Sequence, residues 1–572
     1  MENLAIARIF AEIADLLEIK NENPFKIRAY RNASDTIAHA TAQLAALQEE
    51  ELRSIPGIGK ELAAKIREIC QTGSVRYHRE LLEQFPSTIL DLLRLQGVGP
   101  KTVAQLYAQL NIRTLDELEA AAKGGQLREL KGMGPRKEQL ILKALEERKH
   151  HSGRHLMPDA ADAAAKLIEY LEERSPDTDF VPVGSLRRGA ETSGDLDILA
   201  VGAGQDVMPV FTGYRLVDRI LGQGDTKSSV LLWGGIQADL RLVPADSRGA
   251  AMQYFTGSKN HNIALRDRAV ARGYKLNEYG LFRNADGERV AGATEEGIYE
   301  ALGLAFVPPE LREGRGELLA AETRTLPALI SLKDIRGDLH THTSETDGRD
   351  DIETMALAAR DAGLEYIAIT DHSKALAMAN GLDEHRALEH ARRIREISDR
   401  LEGITILAGI ECDIRPDGTM DLADDCLAHL DIVIASIHSA FNQEASQITD
   451  RMLRAITCRY VDVIGHPTGR LLLKREPYQV EVGQIVDAAA RAGVALEINC
   501  QIDRLDLNDV HAKLARDRGV NILIDTDSHS TKGFSLLQWG VMVARRAWLA
   551  PADVLNTRPL EEFRAALRRN GQ

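Results

Sequence analysis

Cysteine is scarce here and forms no pattern: Cys70, Cys412, Cys426, Cys458 and Cys500 are odd in number, widely spaced and free of any C-x-x-C pair. That argues against a disulfide framework and a zinc ribbon, and leaves reduced thiols, several of them buried. Long apolar runs are lacking too. No stretch of about 18 uncharged apolar residues occurs, and the opening MENLAIARIFAEIADLLEIK carries acidic residues on an amphipathic pattern with no cleavage site. No membrane span and no export signal are expected, and the cytoplasm is the expected compartment. Positive excess is also missing: 71 Lys and Arg stand against 86 Asp and Glu, a net charge of -15. Its distribution matters more than its sum. Residues 1 to 158 carry about +2, 159 to 330 about -7 and 331 to 572 about -10, so the acidity lies where cations could neutralise it. A near-neutral front can still hold phosphates through backbone amides and a few placed cations.

What is present is 572 residues of ordinary globular composition, 44% apolar and 27% charged, more than one core supports, so three or four domains are expected. Up to about residue 150 the apolar spacing is helical, with Gly/Pro-bearing turns and no strand-like runs. From about 180 the period changes: FVPVGS, DLDILAV, SVLLWGG and QADLRLV are short β-rich runs among helices, an α+β pattern. The stretch PPELREGRGELLAAETRTLP reads as a linker. Beyond it, IRGDLH, EYIAITDH, ITILAGIE, DIVIASIH, VDVIGHP, VALEIN and NILIDTDSH are apolar strands separated by helical stretches. Seven βα-like units fit a barrel; a doubly wound open sheet fits the alternation as well. The expected fold class is therefore multidomain, α+β and α/β. Its expected domains are helical 1–85, helical 86–155, mixed 156–310, a linker 311–334 and a βα domain 335–572.

A weak repeat runs through the helical front: SIPGIGKELAAKI at 54–66, LQGVGPKTVAQL at 95–106 and LKGMGPRKEQLI at 130–141. Each places Gly-x-Gly before a helix, with Gly57, Gly59 and Lys60, then Gly97, Gly99 and Lys101, then Gly132, Gly134 and Lys137. Glycines let a turn approach a phosphate while the next helix offers free N–H groups and its positive dipole end. One copy would be an ordinary connection between helices. Three favour a helix-hairpin-helix surface that tracks a phosphate backbone without reading sequence.

In VGSLRRGAETSGDLDILAV, Gly184 and Ser185 close a turn that can bring donors to a triphosphate, with Arg188 supplying charge. Asp195 and Asp197 stand at i and i+2 on a strand, so both carboxylates face one side, and Asp239 in QADLRLV can join them from another strand. Three clustered carboxylates are costly unless cations fill the gap, and two magnesium ions there would activate a primer hydroxyl. GSLRRGAETSGDLDIL, QADLRLV and YFTGSKNHN together resemble the palm and fingers of family X DNA polymerases, over residues 1 to about 310. The resemblance implies that Asp195, Asp197 and Asp239 hold Mg2+ or Mn2+, that Ser185, Arg188 and Gly194 contact the triphosphate, and that Arg241 supports the triad. It also implies a sugar-sensing turn at Tyr254, Phe255, Thr256 and Gly257, and contacts to the nucleotide and template from Asn262 and Arg266. NPFKIRAYRNAS and PGIGKELAAKI resemble the family's lyase domain, which would put its nucleophilic lysine at Lys65 and phosphate binding at Lys26 and Tyr30. As plain chemistry, Lys65 is more simply read as a solvated helix lysine, since a Schiff base needs a free amine that the sequence does not show. By the same likeness 86–155 is a thumb- or fingers-type hairpin domain and 156–310 the palm with its nucleotide-selecting part. A further triphosphate arginine has no clear counterpart; Arg154 is a candidate.

In the last part, His340 and His342 (DLHTH), Asp347 (SETDG), His372 (TDH), Glu411 (GIE), His438 (SIH), His466 (GHP), Asp527 and His529 (DTDSH) fall at carboxyl ends of strands. In a barrel that rim converges on one pocket. Nine such ligands exceed one cation's needs and suit two or three manganese, zinc or iron ions, which makes phosphoester hydrolysis the natural reaction. These motifs resemble the polymerase and histidinol phosphatase (PHP) superfamily over about 335–570. A PHP domain behind a family X polymerase is the bacterial and archaeal arrangement. It implies a manganese-dependent 3′-5′ exonuclease, with cleavage at abasic sites or removal of 3′-phosphates as related reactions. Lys374 and Arg470 could hold phosphate or be surface and core cations.

The leading expectation is a DNA repair polymerase, a monomer acting at the nucleoid on gapped or primer-template DNA with dNTPs, which also trims 3′ ends. The alternatives are a small-molecule phosphoesterase fused to a DNA-binding module, and a DNA-end scaffold with decayed centres.

Overall fold

The computed structural model describes residues 3–567 apart from 21, 39, 41–43, 56, 73–74, 83, 86–91, 93–97, 99, 131–132, 136, 140, 143–144, 146–152, 203 and 205. The chain folds as two compact units, Met1–Gly153 and Arg154–Gln572. No helix among the described residues is long and apolar enough to cross a membrane. All five cysteines are free thiols, with Cys412, Cys426 and Cys500 buried.

The first unit is helical throughout its described residues, including Asn3–Ile19, Pro24–Ala38, Lys60–Thr72, Pro100–Leu110 and Leu115–Lys123. Ile6, Phe10, Ile13 and Leu17 recur at helical spacing and are fully buried, so one stripe of the first helix packs on Tyr30, Ala33 and Ile37 of the second. Thr114 starts the helix Leu115–Lys123 by accepting from the Glu117 N–H at 3.2 Å while Glu117 accepts from the Thr114 N–H at 3.1 Å. That reciprocal pair satisfies two amides that would otherwise lack partners.

The second unit begins with strands β1 (His155–Leu156), β2 (Asp179–Pro182), β3 (Thr192–Ser193), β4 (Asp195–Val201), β5 (Val217–Gln223), β6 (Lys227–Leu232) and β7 (Gln237–Val243). β1 pairs with β3, and the other five form one sheet in the order β2-β4-β7-β6-β5, in which β4 and β7 are parallel. Leu196, Ile198, Val230, Ala238 and Leu240 bury one face of this sheet against the helix Met157–Glu172 and its neighbours. A small antiparallel sheet follows, β8 (Tyr274–Asn277), β9 (Gly280–Arg283) and β10 (Arg289–Ala291).

The stretch expected as a linker is packed instead. Leu311, Ala320 and Ala321 share a buried core with Tyr299 and Trp548, and the fully buried Arg312 donates to Glu295 at 2.6 Å and to the Val307 carbonyl at 2.9 Å. Its charges read as solvated because composition does not reveal that their partners lie inside the fold.

The last seven strands are β11 (Gly337–Thr341), β12 (Tyr366–Ile369), β13 (Thr405–Asp413), β14 (Ile432–Ser436), β15 (Val463–Ile464), β16 (Ala495–Asn499) and β17 (Ile522–Asp525). They are parallel and lie in chain order, and β11 approaches β17 through a Thr341–Ser528 bridge and a 2.8 Å bond from the His342 N–H to the Ser528 carbonyl. This is a nearly closed barrel. An open doubly wound sheet would reverse its strand order at a switch point and leave the first and last strands apart. Leu339, Ala368, Leu407, Ile434, Val463, Ala495 and Leu523, one from each strand, gather around Phe563, so the barrel's lower interior is filled and its upper rim is left for polar groups.

Candidate metal centres

In the first unit Gly57 has φ of +87°, a left-handed conformation that favours glycine, and Lys60, exposed, starts the helix Lys60–Thr72. A side chain on Gly59 or Gly134 would meet nothing within 4 Å, so both turns present open backbone. Gly97, Gly99 and Gly132 lie outside the described residues; Lys101 is within the helix Pro100–Leu110, and Lys137 stands half-buried beyond the third turn. Lys26 donates to the Tyr77 hydroxyl at 2.8 Å, which raises its pKa. Lys65 lies 5.7 and 5.2 Å from the ring centres of Tyr30 and Tyr77 and bonds Glu61 at 2.5 Å. Lys26, Tyr30 and Lys65 thus form one cluster, and Schiff-base chemistry would require Lys65 to leave Glu61.

In the mixed domain the parallel register sets Asp197 directly beside Asp239 and Asp195 beside Gln237. Asp195 is exposed, Asp197 half-buried and Asp239 buried. Burial, then the charges of Asp195 and Asp239, push the Asp197 carboxyl up to about 6. Lys227 Nζ lies 2.6 Å from Asp239 and the Gln237 amide donates to it at 2.9 Å. Neither partner was singled out from sequence, although Gln237 and Asp239 at i and i+2 on one strand must share a face. Gly184, at φ +67°, passes so close to Asp197 that a Cβ would stand 2.8 Å from its Oδ2. Ser185 Oγ bonds Ser193 Oγ at 2.6 Å, and a Cβ on Gly194 would meet Arg154 at 3.7 Å. Arg154 itself holds Thr192 at 2.7 Å and 2.6 Å.

The other expected nucleotide contacts are engaged with the protein. Arg188 donates to Glu313 at 3.0 Å and to the Thr256 carbonyl at 2.5 Å. Asn262 donates to the Tyr254 carbonyl at 2.7 Å and accepts from Gln253 at 2.7 Å, which stiffens the turn through Phe255 and Gly257, where φ is +70°. Arg266, exposed, bonds the Asn262 carbonyl at 3.3 Å. Arg241 stacks on Phe255 at 4.6 Å with its Nε buried and unpaired.

This domain and the barrel meet through buried ion pairs. Arg470 grips Glu191 at 2.9 and 2.6 Å, so it joins domains and does not stand free for a substrate. Lys374 is likewise held by Glu384 at 2.6 Å. Arg546 binds Glu313 at 2.8 Å and Asp509 at 2.9 Å. Burial opposes ionisation of Glu313, yet Arg546 and Arg188 outweigh it and hold its carboxyl at about 2.

At the barrel's rim the nine expected ligands converge. Glu411 is central: His340 at 3.4 Å, His342 at 3.7 Å, His372 at 2.8 Å, His438 at 3.3 Å and His466 at 2.9 Å all reach its carboxylate. Asp527 lies 3.1 Å from His342 and 3.7 Å from His529, and Asp347 lies 3.4 Å from His372 and 3.5 Å from His529. Three subsets can each surround one cation: His342, Asp347, His372 and His529; His340, His342 and Asp527; His372, Glu411 and His438. A register shift in β11 between Asp338 and Thr341 accompanies the placement of both His340 and His342 in this cluster.

The donor set fits metal ions. His340 Nε2, both ring nitrogens of His342, His372 Nδ1, His438 Nδ1, His466 Nδ1 and Glu411 Oε2 are buried without a hydrogen-bond partner among the described residues. Charges sit at ion-pair range, but the lone pairs are not aimed at one another, as ligands sharing a cation would be arranged. The electrostatics agree. Burial opposes protonation, yet Glu411 and Asp347 lift His372 to about 10, and Glu411 and Asp413 lift His438 to about 9. His342, buried beside His372, falls to about 4.

Three supporting residues were not singled out from sequence. Glu497 accepts from His340 at 2.6 Å and from the His466 N–H at 2.5 Å; Asn499 donates to Asp527 at 3.1 Å; Asp413 lies 3.3 Å from His438. Their signal was available. Glu497 and Asn499 end the one strand without an assigned ligand, and Asp413 follows Glu411 at i+2.

A helix-hairpin-helix domain family matches residues 1–75, a SAM-like helix-hairpin-helix tandem 89–147, the DNA polymerase beta thumb 251–313 and the PHP domain 338–501. The thumb match falls on the segment expected to select the nucleotide. The DNA polymerase/3′-5′ exonuclease PolX of Bacillus subtilis (strain 168) is 36% identical over 573 aligned positions, covering 100% of both chains. A probable phosphatase of Thermoanaerobacter sp. (strain X514) is 30% identical over 231 residues, 38% of this chain and 89% of its own. A probable phosphatase of Shewanella oneidensis is 31% identical over 202 residues, 34% of this chain and 75% of its own.

Proposed function

The chain belongs to the family X DNA polymerases that carry a carboxy-terminal PHP domain, and on that premise we propose that it fills short gaps during DNA repair and trims 3′ ends with a separate manganese centre. The observation that carries the reading is the meeting of two complete ligand sets in one compact unit, Asp195, Asp197 and Asp239 in the palm and nine His, Asp and Glu at the barrel rim. The carboxylate triad takes Mg2+ or Mn2+ and the rim two or three Mn2+, Zn2+ or Fe2+. Divalent cations held there supply positive charge to phosphate oxygens and ease deprotonation of the attacking hydroxyl or water.

Extension joins the primer's 3′ oxygen to the α-phosphorus of a dNTP and releases pyrophosphate, the hydroxyl proton passing to solvent. Ser185 and the Gly184 turn offer donors to the triphosphate, and Arg188 joins them by leaving Glu313. Tyr254 and Phe255 exclude a ribose 2′-hydroxyl. Trimming adds water to the terminal phosphodiester's phosphorus; the 3′ oxygen of the preceding nucleotide leaves with the proton, and a 5′-mononucleotide is released. Lys26, Lys60, Lys101 and Lys137, with the hairpin glycines, hold the DNA backbone without sequence preference, whereas Tyr30, expected to join them, is buried in the helical core and backs Lys65 instead. Lys65, on leaving Glu61, forms a Schiff base at an abasic sugar, which borohydride trapping checks. The protein works in the cytoplasm at the nucleoid as a monomer.

The test uses a labelled primer on a one-nucleotide gap with Mg2+ or Mn2+, with and without dNTPs. Asp197→Ala abolishes extension and spares shortening; His342→Ala does the reverse. If either variant lost the other activity alone, the assignment of tasks would be wrong. Coverage of 89% of a probable phosphatase by the barrel favours one second reading, hydrolysis of a small phosphomonoester. Faster turnover of such an ester than of 3′-recessed DNA would establish it.

A further inference from the structure

The palm turn that carries Arg188 rests on the barrel helix Leu537–Arg546. Gly189, at φ +66°, packs so close to it that a Cβ there would overlap the Met542 side chain, and four residues on, along the same face, Arg546 donates to the Arg188 carbonyl at 2.8 Å. Between the two arginines stands Glu313, whose side chain is 7% exposed. Its Oε1 accepts from Arg188 Nε at 3.0 Å and from Arg546 Nη1 at 2.8 Å, so one oxygen is shared by a palm cation and a barrel cation. Arg546 also binds Asp509 at 2.9 Å, which Arg315 holds at 3.0 Å. Arg188, Glu313, Arg546, Asp509 and Arg315 therefore alternate in sign, three cations and two anions. Taking Arg188 away leaves two of each. Arg188 is the more open end of this row, 15% exposed against 3% for Arg315, and it can leave without stranding a buried carboxylate. A lone buried ion pair has no such freedom, because removing one partner leaves the other charge uncompensated. Nor is Arg188 wholly spent: Nη1 holds the Thr256 carbonyl at 2.5 Å, and Nη2 has no hydrogen-bond partner among the described residues.

We propose that Glu313 is a latch on nucleotide entry, holding Arg188 while the palm is empty and yielding it to a triphosphate, and that Arg546 of the barrel sets how readily the latch opens. Glu313 is a positioning residue, since it acts on the substrate only through Arg188. The inference rests on the reading of Arg188 as a triphosphate ligand and adds the regulation of that site. Two effects of opposite sign follow. Removing the Glu313 carboxylate frees Arg188 beforehand, so that nucleotide binding no longer has to break an ion pair. Removing Arg546 leaves Arg188 as the only cation bonded to Glu313 among the described residues, so that the departure of Arg188 strands a buried charge and the latch tightens. A triphosphate offers the guanidinium several anionic oxygens where Glu313 offers one, whereas a monophosphate has little with which to draw it away. The latch thereby favours triphosphates over monophosphates.

The experiment measures binding of dATP and of dAMP by the full-length protein in Mg2+, on a one-nucleotide gap whose primer ends in a dideoxynucleotide. Gap-filling KM and kcat are read on the extendable primer. The variants are Glu313→Gln, Glu313→Asp, Arg546→Gln, Arg188→Gln and the double variant Glu313→Gln with Arg188→Gln. Glu313→Gln should bind dATP about five-fold more tightly than wild type, with KM falling by the same factor, kcat within about two-fold and dAMP binding unchanged. Arg546→Gln should bind dATP about five-fold more weakly. Glu313→Asp keeps a carboxylate but draws it back from Arg188, and should show a smaller gain in dATP affinity. In the double variant the gain should vanish, because no guanidinium is left to release. Loss of dATP affinity in both Glu313→Gln and Arg546→Gln would make the joint a matter of packing and overturn the proposal. So would an unchanged dATP affinity in Glu313→Gln, an equal gain for dAMP, or a gain that persists without Arg188. If Glu313→Gln does not fold, the direction of the change in Glu313→Asp decides. Arg188→Gln binding dATP as wild type does would instead overturn the reading of Arg188 as a triphosphate ligand.

Discussion

The two centres solve the same problem, holding cations among carboxylates, in opposite ways. The palm triad is three side chains on two strands with Asp195 in solvent, Asp197 half-buried and a lysine resting on Asp239. The rim cluster draws its proposed ligands from six of seven strands, most of them buried, and Glu497, Asn499 and Asp413 brace them from behind. The first is open and completed by what enters it; the second is built beforehand. The strongest way to break this contrast is at Glu411, which five histidines approach. Glu411→Gln should reduce 3′ shortening by roughly a thousand-fold or more, as losing a member of a unit that acts together does, while gap filling changes by less than about two-fold. A matching loss of gap filling, read on the same primer, would show that the centres are not separate.

The joint between them is Glu313, shared by Arg188 of the palm turn and Arg546 of the barrel. Its carboxyl stands at about 2 against an ordinary 4.5. A depressed acid stabilises the fold fully above its unfolded value and loses that contribution as pH falls through the folded one. Glu313→Gln should thus cost about 3 kcal/mol at neutral pH, with the difference from wild type constant down to about pH 4.5 and shrinking below it. Denaturant melts of both proteins from about pH 7 to about pH 3.5 check this; a pH-independent difference would mean that packing, not charge, is what the variant loses.

How much of this was legible in sequence follows from which interactions are local. The convergence of His, Asp and Glu at the rim could be foreseen because a parallel barrel puts every strand's carboxyl end at one place, so position along each strand sufficed. The D-x-D pair followed from strand periodicity alone. Arg188–Glu313, Arg470–Glu191 and Arg312–Glu295 could not be found this way, since 125, 279 and 17 positions separate the partners and no helix or strand period links them. The same blindness made 311–334 read as a linker. Glu497 was within reach but lies one layer behind the ligands, where a carboxylate on a buried strand looks like any other.

That second layer gives the next test. Glu497 holds the His340 ring and the His466 backbone at once, so Glu497→Gln should weaken manganese binding and slow shortening by roughly ten- to a hundred-fold, less than Glu411→Gln does. Isothermal titration of manganese alongside the rate separates the two effects. A slower rate with unaltered metal affinity would place Glu497 outside the support of the centre.

The smallest effect belongs to the palm's lysine. Lys227 is 41% exposed and rests on the buried carboxylate of Asp239 at 2.6 Å, a pair worth less than about 1 kcal/mol once solvent screening is allowed for. Without divalent ions Lys227 and the Gln237 amide are what offset the crowding of three carboxylates, so Lys227→Met should lower Tm by roughly 2 °C in chelator. A divalent cation offsets the same repulsion more strongly. In excess Mg2+ the difference should therefore vanish, and the apparent Mg2+ affinity of the variant should rise, because the cation no longer competes with an ammonium. Destabilisation of equal size with and without Mg2+ would show that Lys227 is part of the sheet's permanent packing, and that the palm centre is prebuilt after all.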